Sequence, residues 1–377
     1  MKKKLLSIIL SIFLIIPCFT FVGCGDKPET PHEHNWQAAW SKNATEHWHA
    51  CSGCDETKDK NNHSGNPCNI CGYTAGSSEG EEDSLPVVSS VRDLEVITYD
   101  TGVDGVFTLV LLPDGKNMMI DSGNEGFDTQ MLIEDELKYE YIISTIDYFV
   151  LTNTSAVRTA QAKYVLTDSL LEVEVKNLYT PREINNSAPT CYEEAIANAP
   201  ATCNVVEVGE SNCDITYSFK DAQNNTYTYT IDFMLPVATA DCNDEFDASI
   251  AISIEYAGKT ILISGDATEK TIHGYYDKYN GQKDVDVLIT SYLSAYPNAI
   301  VNSKANGKDY LECISLEEGD YAIVSPTSTS TNIGSLKNML IDTCGAGLEY
   351  VFLLTESNAS ISSISITSQG VISVTAE

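Results

Sequence analysis

Four cysteines form two short pairs near the N-terminus of this 377-residue chain. Cys51 and Cys54 belong to "CSGC", Cys68 and Cys71 belong to "CNIC", and thirteen residues separate the two pairs. A Cys-x-x-Cys turn can place two thiolates on one tetrahedral ion, and a second such turn completes the ligand shell. The pattern predicts one structural zinc ion on these four cysteines, in a closed site that leaves no position open for catalysis.

Other interpretations of the four cysteines stay open. Two disulfides suit an exported protein, whereas a redox pair would need a thioredoxin-like βαβ unit, which the surrounding pattern lacks. His47, His49 or His63 can replace one thiolate on the zinc. Residues 32–73 resemble a zinc-ribbon-like module of surface proteins of Gram-positive anaerobes, and so small a core needs metal or cross-links to hold together.

A second stretch, "LTNTSAVRTAQAKYVL", lies where an apolar strand ends and a helix begins, at residues 151–166. In α/β enzymes such a junction carries catalytic groups, because the carboxyl ends of strands open onto a crevice. This junction contains no histidine, aspartate or glutamate. It therefore offers neither a metal ligand nor a general base.

The elements around this junction alternate between strand and helix from residue 87 to residue 377. Apolar runs such as "VFTLVLL" and "KTILISGD" are bounded by turn signals and predict strands. Helical spacing of apolar residues in "DTQMLIEDELKYEYI", "AVRTAQAKYVLTDSL" and "TEKTIHGYYDKY" predicts helices. The strands fall into two sets, which predicts a mixed α/β domain of two sheets with helices outside.

Four stretches in this order resemble metallo-β-lactamase-fold domains of the ComEC type, found in the competence DNA-uptake protein. The resemblance implies a four-layer αββα sandwich, preceded here by the small zinc-ribbon-like module. The stretches are "VITYDTGVDGVFTLVLLPDGKNMMIDSG" (96–123), "IDYFVLTNTSAVR" (146–158), "DASIAISIEYAGKTILISGDA" (247–267) and "DVDVLITSYLSA" (284–295).

The resemblance also implies where metal ligands stand in active members, and this chain lacks most of them. Asn153, Ser155, Val157 and Arg158 occupy the places of His, Asp, Asp and His in the family's T-H-x-D-x-D-H motif. Tyr292, followed by Leu293, occupies the double-histidine place. A catalytic metal needs about three protein ligands, so we expect a degenerate pocket with no metal in the large domain.

Two acidic residues of the family pattern remain, Asp266 of "GDA" and Asp121 of "IDSG". We expect Arg158 to pair with Asp266, so that a guanidinium–carboxylate pair neutralises the aspartate in place of a metal. The pocket can then still hold a neutral or anionic group on Arg158. Asp266 capping the following helix is the simpler interpretation. A metal-dependent hydrolase with unorthodox ligands is the alternative function, and its candidate ligands are Asp100, Asp104, Asp121 and Asp266.

The N-terminus has the pattern of an export signal. Three lysines precede an apolar run that ends in "FVGCG". Gly23 before Cys24 resembles the lipobox of bacterial lipoproteins, which implies cleavage before Cys24 and lipidation of its thiol. A transmembrane anchor is the rival interpretation, since the run is nearly long enough to span.

The charge of the chain limits its partners. It carries 54 acidic and 22 basic residues, a net charge of −32, so its surface repels the phosphates of nucleic acids. We expect a lipid-anchored protein on the extracellular face of the cell membrane, bound there through Cys24. Its expected partner is an envelope protein or a small ligand, and its role is binding or assembly.

The organisation that follows has five segments. The predicted boundaries are a signal peptide 1–23, a tether 24–31, the zinc-ribbon-like module 32–74, an acidic linker 75–86 and the metallo-β-lactamase-like domain 87–377. The large domain holds one histidine, His273, and six cysteines that can form disulfides or remain thiols. The acidic segment "DCNDEFD" lacks the glycine of a calcium loop and predicts a solvated loop.

Overall fold

A computed structural model gives the fold. It describes residues 34, 36, 41–42, 46–51, 54, 56–63, 85–102, 104–182, 189–209, 213–235, 242, 247–281, 283–291, 304–305, 308–325, 333–344, 350–353 and 361–376. The predicted signal peptide and tether, Cys24, Cys68, Cys71 and Tyr292 lie outside the described residues.

The chain divides into two compact units, Met1–Ser84 and Leu85–Glu377. In the small unit, three antiparallel strands form one sheet: β1 (Ser41–Lys42), β2 (Glu46–Ala50) and β3 (Thr57–Asn62). The large unit begins by pairing with its own second sheet, since Pro86 and Val88 exchange backbone hydrogen bonds of 2.8 Å each with Lys220.

The first sheet of the large unit has eight strands in the order β11-β10-β8-β6-β5-β4-β21-β22. They are β4 (Leu94–Gly102), β5 (Gly105–Leu111), β6 (Asn117–Ile120), β8 (Tyr148–Val150), β10 (Asn177–Thr180), β11 (Asn204–Glu207), β21 (Ile361–Ile366) and β22 (Ile372–Ala376). Strands β6, β8, β10 and β11 run parallel, so their carboxyl ends share one edge.

The second sheet has seven strands in the order β12-β13-β14-β15-β16-β19-β20. They are β12 (Ile215–Lys220), β13 (Thr226–Met234), β14 (Ala251–Tyr256), β15 (Lys259–Gly265), β16 (Val287–Ser291), β19 (Tyr321–Ser325) and β20 (Val351–Leu353). Two short ladders join β7 (Thr145–Ile146) to β9 (Glu174–Val175) and β17 (Lys304–Ala305) to β18 (Lys308–Asp309).

Helices cover the outer faces of both sheets. They are α1 (Phe127–Glu134), which continues as a π-helix over Asp135–Glu140, α2 (Ala156–Thr159), α3 (Ala162–Thr167), α4 (Thr190–Ala197), α5 (Glu269–Tyr279), α6 (Tyr310–Cys313) and α7 (Ile333–Cys344). Within the described ranges, no helix combines the length and the apolar character that crossing a membrane requires.

Three cores show the layering. The central core lies between the two sheets, where Val96 and Ile120 of the first sheet pack with Ile252 and Ile263 of the second. Alternate residues of the first sheet pack on α1, α3 and α4, and alternate residues of the second pack on α5, α6 and α7. Because side chains of successive strand residues point to opposite faces, each sheet serves two cores, and the predicted αββα sandwich is confirmed.

The structure differs from the sequence prediction in local detail. The helix predicted over "AVRTAQAKYVLTDSL" is two short helices, α2 and α3, and the helix predicted after "IDSG" changes to π geometry. Strand β11 was not predicted, because Asn204–Glu207 is short and mostly exposed. Its pairing with β10, rather than its own hydrophobic pattern, makes it a strand.

Candidate functional site

The candidate site lies where strands of both sheets end. Strand β6 leads into Asp121, β8 into Thr152 and Asn153, and β15 into Asp266. The two sheets meet at this place, because the backbone N–H of Ile250 donates to the carbonyl of Thr152 at 2.8 Å. The strand order therefore assembles residues that are more than a hundred positions apart in the chain.

Asp121 joins the ends of β6 and β8. It has a left-handed backbone with φ 59°, and its N–H donates to the carbonyl of Val150 at 2.7 Å. Its carboxylate accepts the N–H of Thr152 (2.8 Å) and the Thr152 hydroxyl (2.8 Å). Asp121 is thus built into the strand ends, with both oxygens directed at the backbone and side chain of Thr152.

Arg158 and Asp266 form the ion pair expected from the sequence. Arg158 Nε donates to Asp266 Oδ2 at 2.7 Å, and Nη2 donates to Oδ1 at 2.5 Å. The two side chains are 4% and 2% exposed. This is the bidentate geometry in which a planar guanidinium matches both oxygens of a carboxylate.

Asn153 completes the surroundings of Asp266. Its amide nitrogen donates to Asp266 Oδ2 at 3.0 Å and to Ser249 Oγ at 3.3 Å, and its Oδ1 accepts the N–H of Ser155 at 2.9 Å. The amide therefore directs a donor at the carboxylate, where a metal-binding histidine would direct a lone pair.

The side chains of Ser155 and Val157 take no part in this network. Ser155 precedes α2, and its buried hydroxyl has no hydrogen-bond partner among the described residues. Val157 is half-buried on α2. Asp266 does not cap α5, since Thr268 holds the N-cap position of that helix, so the capping interpretation is wrong.

The electrostatics of the site follow from its burial. Burial alone lowers the pKa of Arg158, but the charge of Asp266, its hydrogen bonds and the charges of Asp121 and Asp104 raise that pKa above its ordinary value. Burial also raises the pKa of Asp121 to about 7, against the opposing effects of Arg158 and Thr152. Arg158 is therefore a permanent cation here, and it is the positive charge that Asp266 requires.

This arrangement does not fit a metal ion. Both oxygens of Asp266 already accept hydrogen bonds from Arg158, and the guanidinium stands beside the carboxylate as a fixed cation. Asp100 accepts the N–H of Gly102 at 2.6 Å within its own turn. Within the described ranges, the four aspartates of the alternative hydrolase do not come close enough together to share an ion.

The depth of Arg158 also limits what the pocket can bind. The side chain is 4% exposed and uses Nε and Nη2 for Asp266. Two of its nitrogens are therefore taken up by Asp266, and the binding of a neutral or anionic group by Arg158 stays a prediction. A cavity of about 550 Å³ lies instead at the opposite end of the strands, lined by Arg92, Lys116 and Lys176 together with Asp114 and Asp147.

In the small unit, a second group of residues has the composition of a metal site. His34, Cys51 and Cys54 each offer one ligand atom, and these atoms lie within 4.8 Å of one another. His34 Nδ1 is 3.4 Å from Cys54 Sγ. Two ligands on a tetrahedral zinc, at its usual Zn–N and Zn–S lengths, stand about 3.6 Å apart, so the described donors fit zinc.

This group contains two of the four predicted ligands and one histidine that was not predicted. The structure brings Cys51 and Cys54 together, while Cys68 and Cys71 lie outside the described residues. His47, His49 and His63 do not belong to the group, and His34, which was not predicted as a ligand, does. The bridge between Trp36 and Cys51 brings His34 to the cysteines, and a contact across fifteen residues leaves no local sequence signal.

Among the described cysteines, Cys54, Cys191, Cys203 and Cys344 carry free thiols. The disulfide alternative therefore has no pair among them. His273 lies on α5 and is the histidine that the sequence predicted there.

Comparison with known proteins adds the following. No protein-family model matches the sequence, and no curated protein matches it. Similar solved structures include proteins of the metallo-β-lactamase fold. YhfI from Bacillus subtilis is 9% identical with a TM-score of 0.40, over 75% of this chain and 100% of its own.

Two other similar structures are larger proteins. CmlA, a diiron β-hydroxylase from Streptomyces venezuelae, is 12% identical with a TM-score of 0.40 and is covered over 51% of its length by 67% of this chain. A long-form RNase Z from yeast is 10% identical with a TM-score of 0.40 and is covered over 49% by 76% of this chain. The chain thus spans about half the length of these two, and likenesses this distant assign it no activity.

The buried ion pair of Arg158 and Asp266 predicts how substitutions change the unfolding free energy. Arg158→Met leaves Asp266 charged, buried and without its cation, which costs on the order of 3–5 kcal/mol of unfolding free energy. Adding Asp266→Leu removes the stranded charge and should restore most of that loss. Urea unfolding of the large unit, followed by circular dichroism, measures both variants.

The exposed pair Lys163–Glu194, at 46% and 51% exposure, supplies the matched control. Lys163→Met should cost less than about 1 kcal/mol. Equal losses at the buried and exposed pairs, or no recovery in the double variant, would contradict the dependence of the site on Arg158.

The raised pKa of Asp121 predicts that the unfolding free energy depends on pH. Because its pKa is raised in the folded state to about 7, its contribution to stability is complete below its unfolded pKa, near 4, and is lost as the pH rises through 7. The unfolding free energy of the wild type relative to Asp121→Asn should therefore fall between pH 4 and pH 7, by up to about 4 kcal/mol.

Asp128→Asn is the matched control, because Asp128 is exposed and this variant keeps the buried Asp121. A difference between wild type and Asp121→Asn that grows with pH would mean that Arg158 and Thr152 keep the carboxylate charged, and the proposed protonation of Asp121 would be wrong.

Proposed function

We propose that this chain is a lipid-anchored protein of the bacterial cell surface, whose large unit is a non-catalytic member of the metallo-β-lactamase superfamily. Its role is binding or assembly at the envelope. The alternative is a metal-dependent hydrolase of the same superfamily with unorthodox ligands.

The observation that carries this proposal is the bidentate ion pair of Arg158 with Asp266. In active members of the fold, as the sequence resemblance implies, the corresponding place belongs to a metal ligand. Here it belongs to a permanent cation, buried and fixed on the one acidic residue of the "GDA" motif. A cation in that position opposes a second cation by direct repulsion.

No other group of the described site supplies the missing chemistry. A bound metal would generate a nucleophile from water by lowering its pKa, and the residues around Asp266 do not fit that metal. A covalent mechanism needs a nucleophile beside a base. The described surroundings of Asp266 consist of Arg158, amides and hydroxyls, with no histidine among their hydrogen-bond partners.

A binding role agrees with the charge of the chain and with the proposed location. The net charge of −32 disfavours nucleic acid and suits an extracellular surface. The partner that we propose is an envelope protein or a small ligand. The partner's contacts then lie outside the Arg158 pair, which is buried and already satisfied.

The small unit, in this proposal, is a structural zinc module. The ligands that the sequence predicts are Cys51, Cys54, Cys68 and Cys71, with His47, His49 or His63 able to replace one thiolate. So small a unit gains its folding free energy from the metal. A chelator should therefore unfold this unit and leave the large unit folded, and the three tryptophans, at 36, 40 and 48, would report that transition separately.

The lipid anchor at Cys24 is tested by processing. Cys24→Ala should block processing, so that the chain keeps its signal peptide, and should alter its retention in the membrane, because no thiol remains to be acylated. Mass spectrometry of the wild type should find a lipidated Cys24 at the N-terminus. An intact N-terminus that still carries Lys2, Lys3 and Lys4 would contradict the proposal.

The absence of catalysis is tested with the full chain and added zinc or manganese. We expect no metal-dependent hydrolysis of a β-lactam, a phosphodiester or a thioester above that of free metal. Asp266→Ala, which removes the last family ligand, should give the same rates as the wild type.

Metal-dependent turnover that disappears in Asp266→Ala would overturn the proposal and establish the hydrolase. Turnover that persists in Asp266→Ala would point to a contaminant, and a repeat with Arg158→Met would then decide whether the site takes part.

A further inference from the structure

We infer that His34 is a zinc ligand through Nδ1 and that Glu56 is the residue that positions it. This inference rests on the structural zinc proposed above and changes its ligand set. It assigns three of the four places of the tetrahedron to His34, Cys51 and Cys54, so a set of four thiolates is excluded.

The distances support one shared ion. His34 Nδ1 stands 3.4 Å from Cys54 Sγ, and the three candidate ligand atoms lie within 4.8 Å of one another. A tetrahedral zinc requires about 3.6 Å between a nitrogen and a sulfur ligand and about 3.8 Å between two sulfurs. The ligand atoms can therefore reach these separations with shifts of a few tenths of an ångström to about 1 Å.

A second, independent observation concerns Nε2, the other ring nitrogen of His34. His34 Nε2 is 3.2 Å from Glu56 Oε2. Metal-binding histidines commonly donate their other ring N–H to a carboxylate, which fixes the tautomer and the ring orientation. With the proton on Nε2 and directed at Glu56, the lone pair of Nδ1 faces the two cysteines.

One turn of backbone holds these groups in register. Cys51 donates its N–H to the carbonyl of Glu56 at 3.1 Å, which closes the turn that contains Cys54. Cys51 also forms an antiparallel bridge with Trp36. The His34 ring stacks on the Trp36 ring, with centroids 4.9 Å apart, so the same bridge delivers the histidine to the cysteine turn.

The charges are also matched to zinc. Two thiolates and a neutral imidazole balance the two positive charges of the ion, and Glu56 adds a negative charge that makes the imidazole a stronger donor. Without a metal, the Cys54 thiol would simply hydrogen-bond to His34. A shared zinc ion and a simple hydrogen bond between Cys54 and His34 predict different effects of substitution, so experiments can distinguish them.

The test uses the full chain and compares zinc affinity, by competition with a chromophoric chelator, in His34→Ala, Glu56→Ala, Cys54→Ser and His63→Ala. His63 belongs to the same unit but not to the ligand group, so His63→Ala is the matched control. We expect Glu56→Ala to weaken zinc binding roughly 10- to 100-fold, with partial rescue in Glu56→Gln. His34→Ala should weaken it more, and His63→Ala should leave it unchanged.

Zinc-edge X-ray absorption of the bound chain reads the ligand types directly. We expect a nitrogen shell at about 2.0–2.1 Å beside the sulfur shell at about 2.3 Å, with the imidazole signal lost in His34→Ala. In the zinc-bound chain, long-range proton–nitrogen NMR should place the His34 proton on Nε2. Glu56→Ala should move the Nε2–H proton resonance upfield, because that proton loses its carboxylate acceptor, whereas a role of Glu56 elsewhere in the fold would leave the resonance unchanged.

A shell of four sulfurs, unaffected by His34→Ala while Cys54→Ser lowers the affinity, would overturn the inference and leave the zinc proposal intact. A chain that binds no zinc with its thiols reduced would overturn both. Equal effects of His34→Ala and His63→Ala would show that loss of folding, rather than loss of a ligand, explains the result, and would also count against the assignment.

Discussion

The structure of the large unit depends on the neutralisation of one buried carboxylate. Asp266 ends strand β15 at the junction of the two sheets and is 2% exposed on its side chain. A buried charge is tolerated only when it is paired and hydrogen-bonded. Arg158, from the helix after β8, supplies that pairing through two hydrogen bonds. The same contact therefore joins the two sheets at the place where the sequence resemblance implies a metal site.

The two units bring different kinds of side chain together. In the large unit, Arg158 and Asn153 donate hydrogen bonds to Asp266, and Arg158 is the cation that pairs with it among the described residues. In the small unit, acceptors converge, since two thiols and an imidazole nitrogen face one point and a carboxylate stands behind the imidazole. The proposed difference between the two sites, one without a metal and one with zinc, thus rests on the types of side chain that each brings together.

Much of this architecture could be predicted from the sequence. Alternating apolar runs gave the two sheets, and the substitution of Arg158 for a metal ligand predicted its pairing with Asp266. Contacts that arise only in three dimensions were missed. Each depends on a partner distant in the chain. Ser122 donates two hydrogen bonds to the carbonyl of Arg158 near the break between α2 and α3, the strand Asn204–Glu207 pairs with β10, and the bridge between Trp36 and Cys51 places His34. Their local sequence patterns do not differ from those of other segments, so these features could not be predicted from one segment alone.

The central claim is that a guanidinium, not a metal, neutralises Asp266. Anomalous diffraction at the zinc edge, from crystals of the full chain grown with excess zinc, locates every bound ion. The account predicts a peak between His34, Cys51 and Cys54 and continuous density for the Arg158–Asp266 pair with no ion beside it. An anomalous peak within coordination distance of the Asp266 carboxylate, with Arg158 displaced, would contradict it.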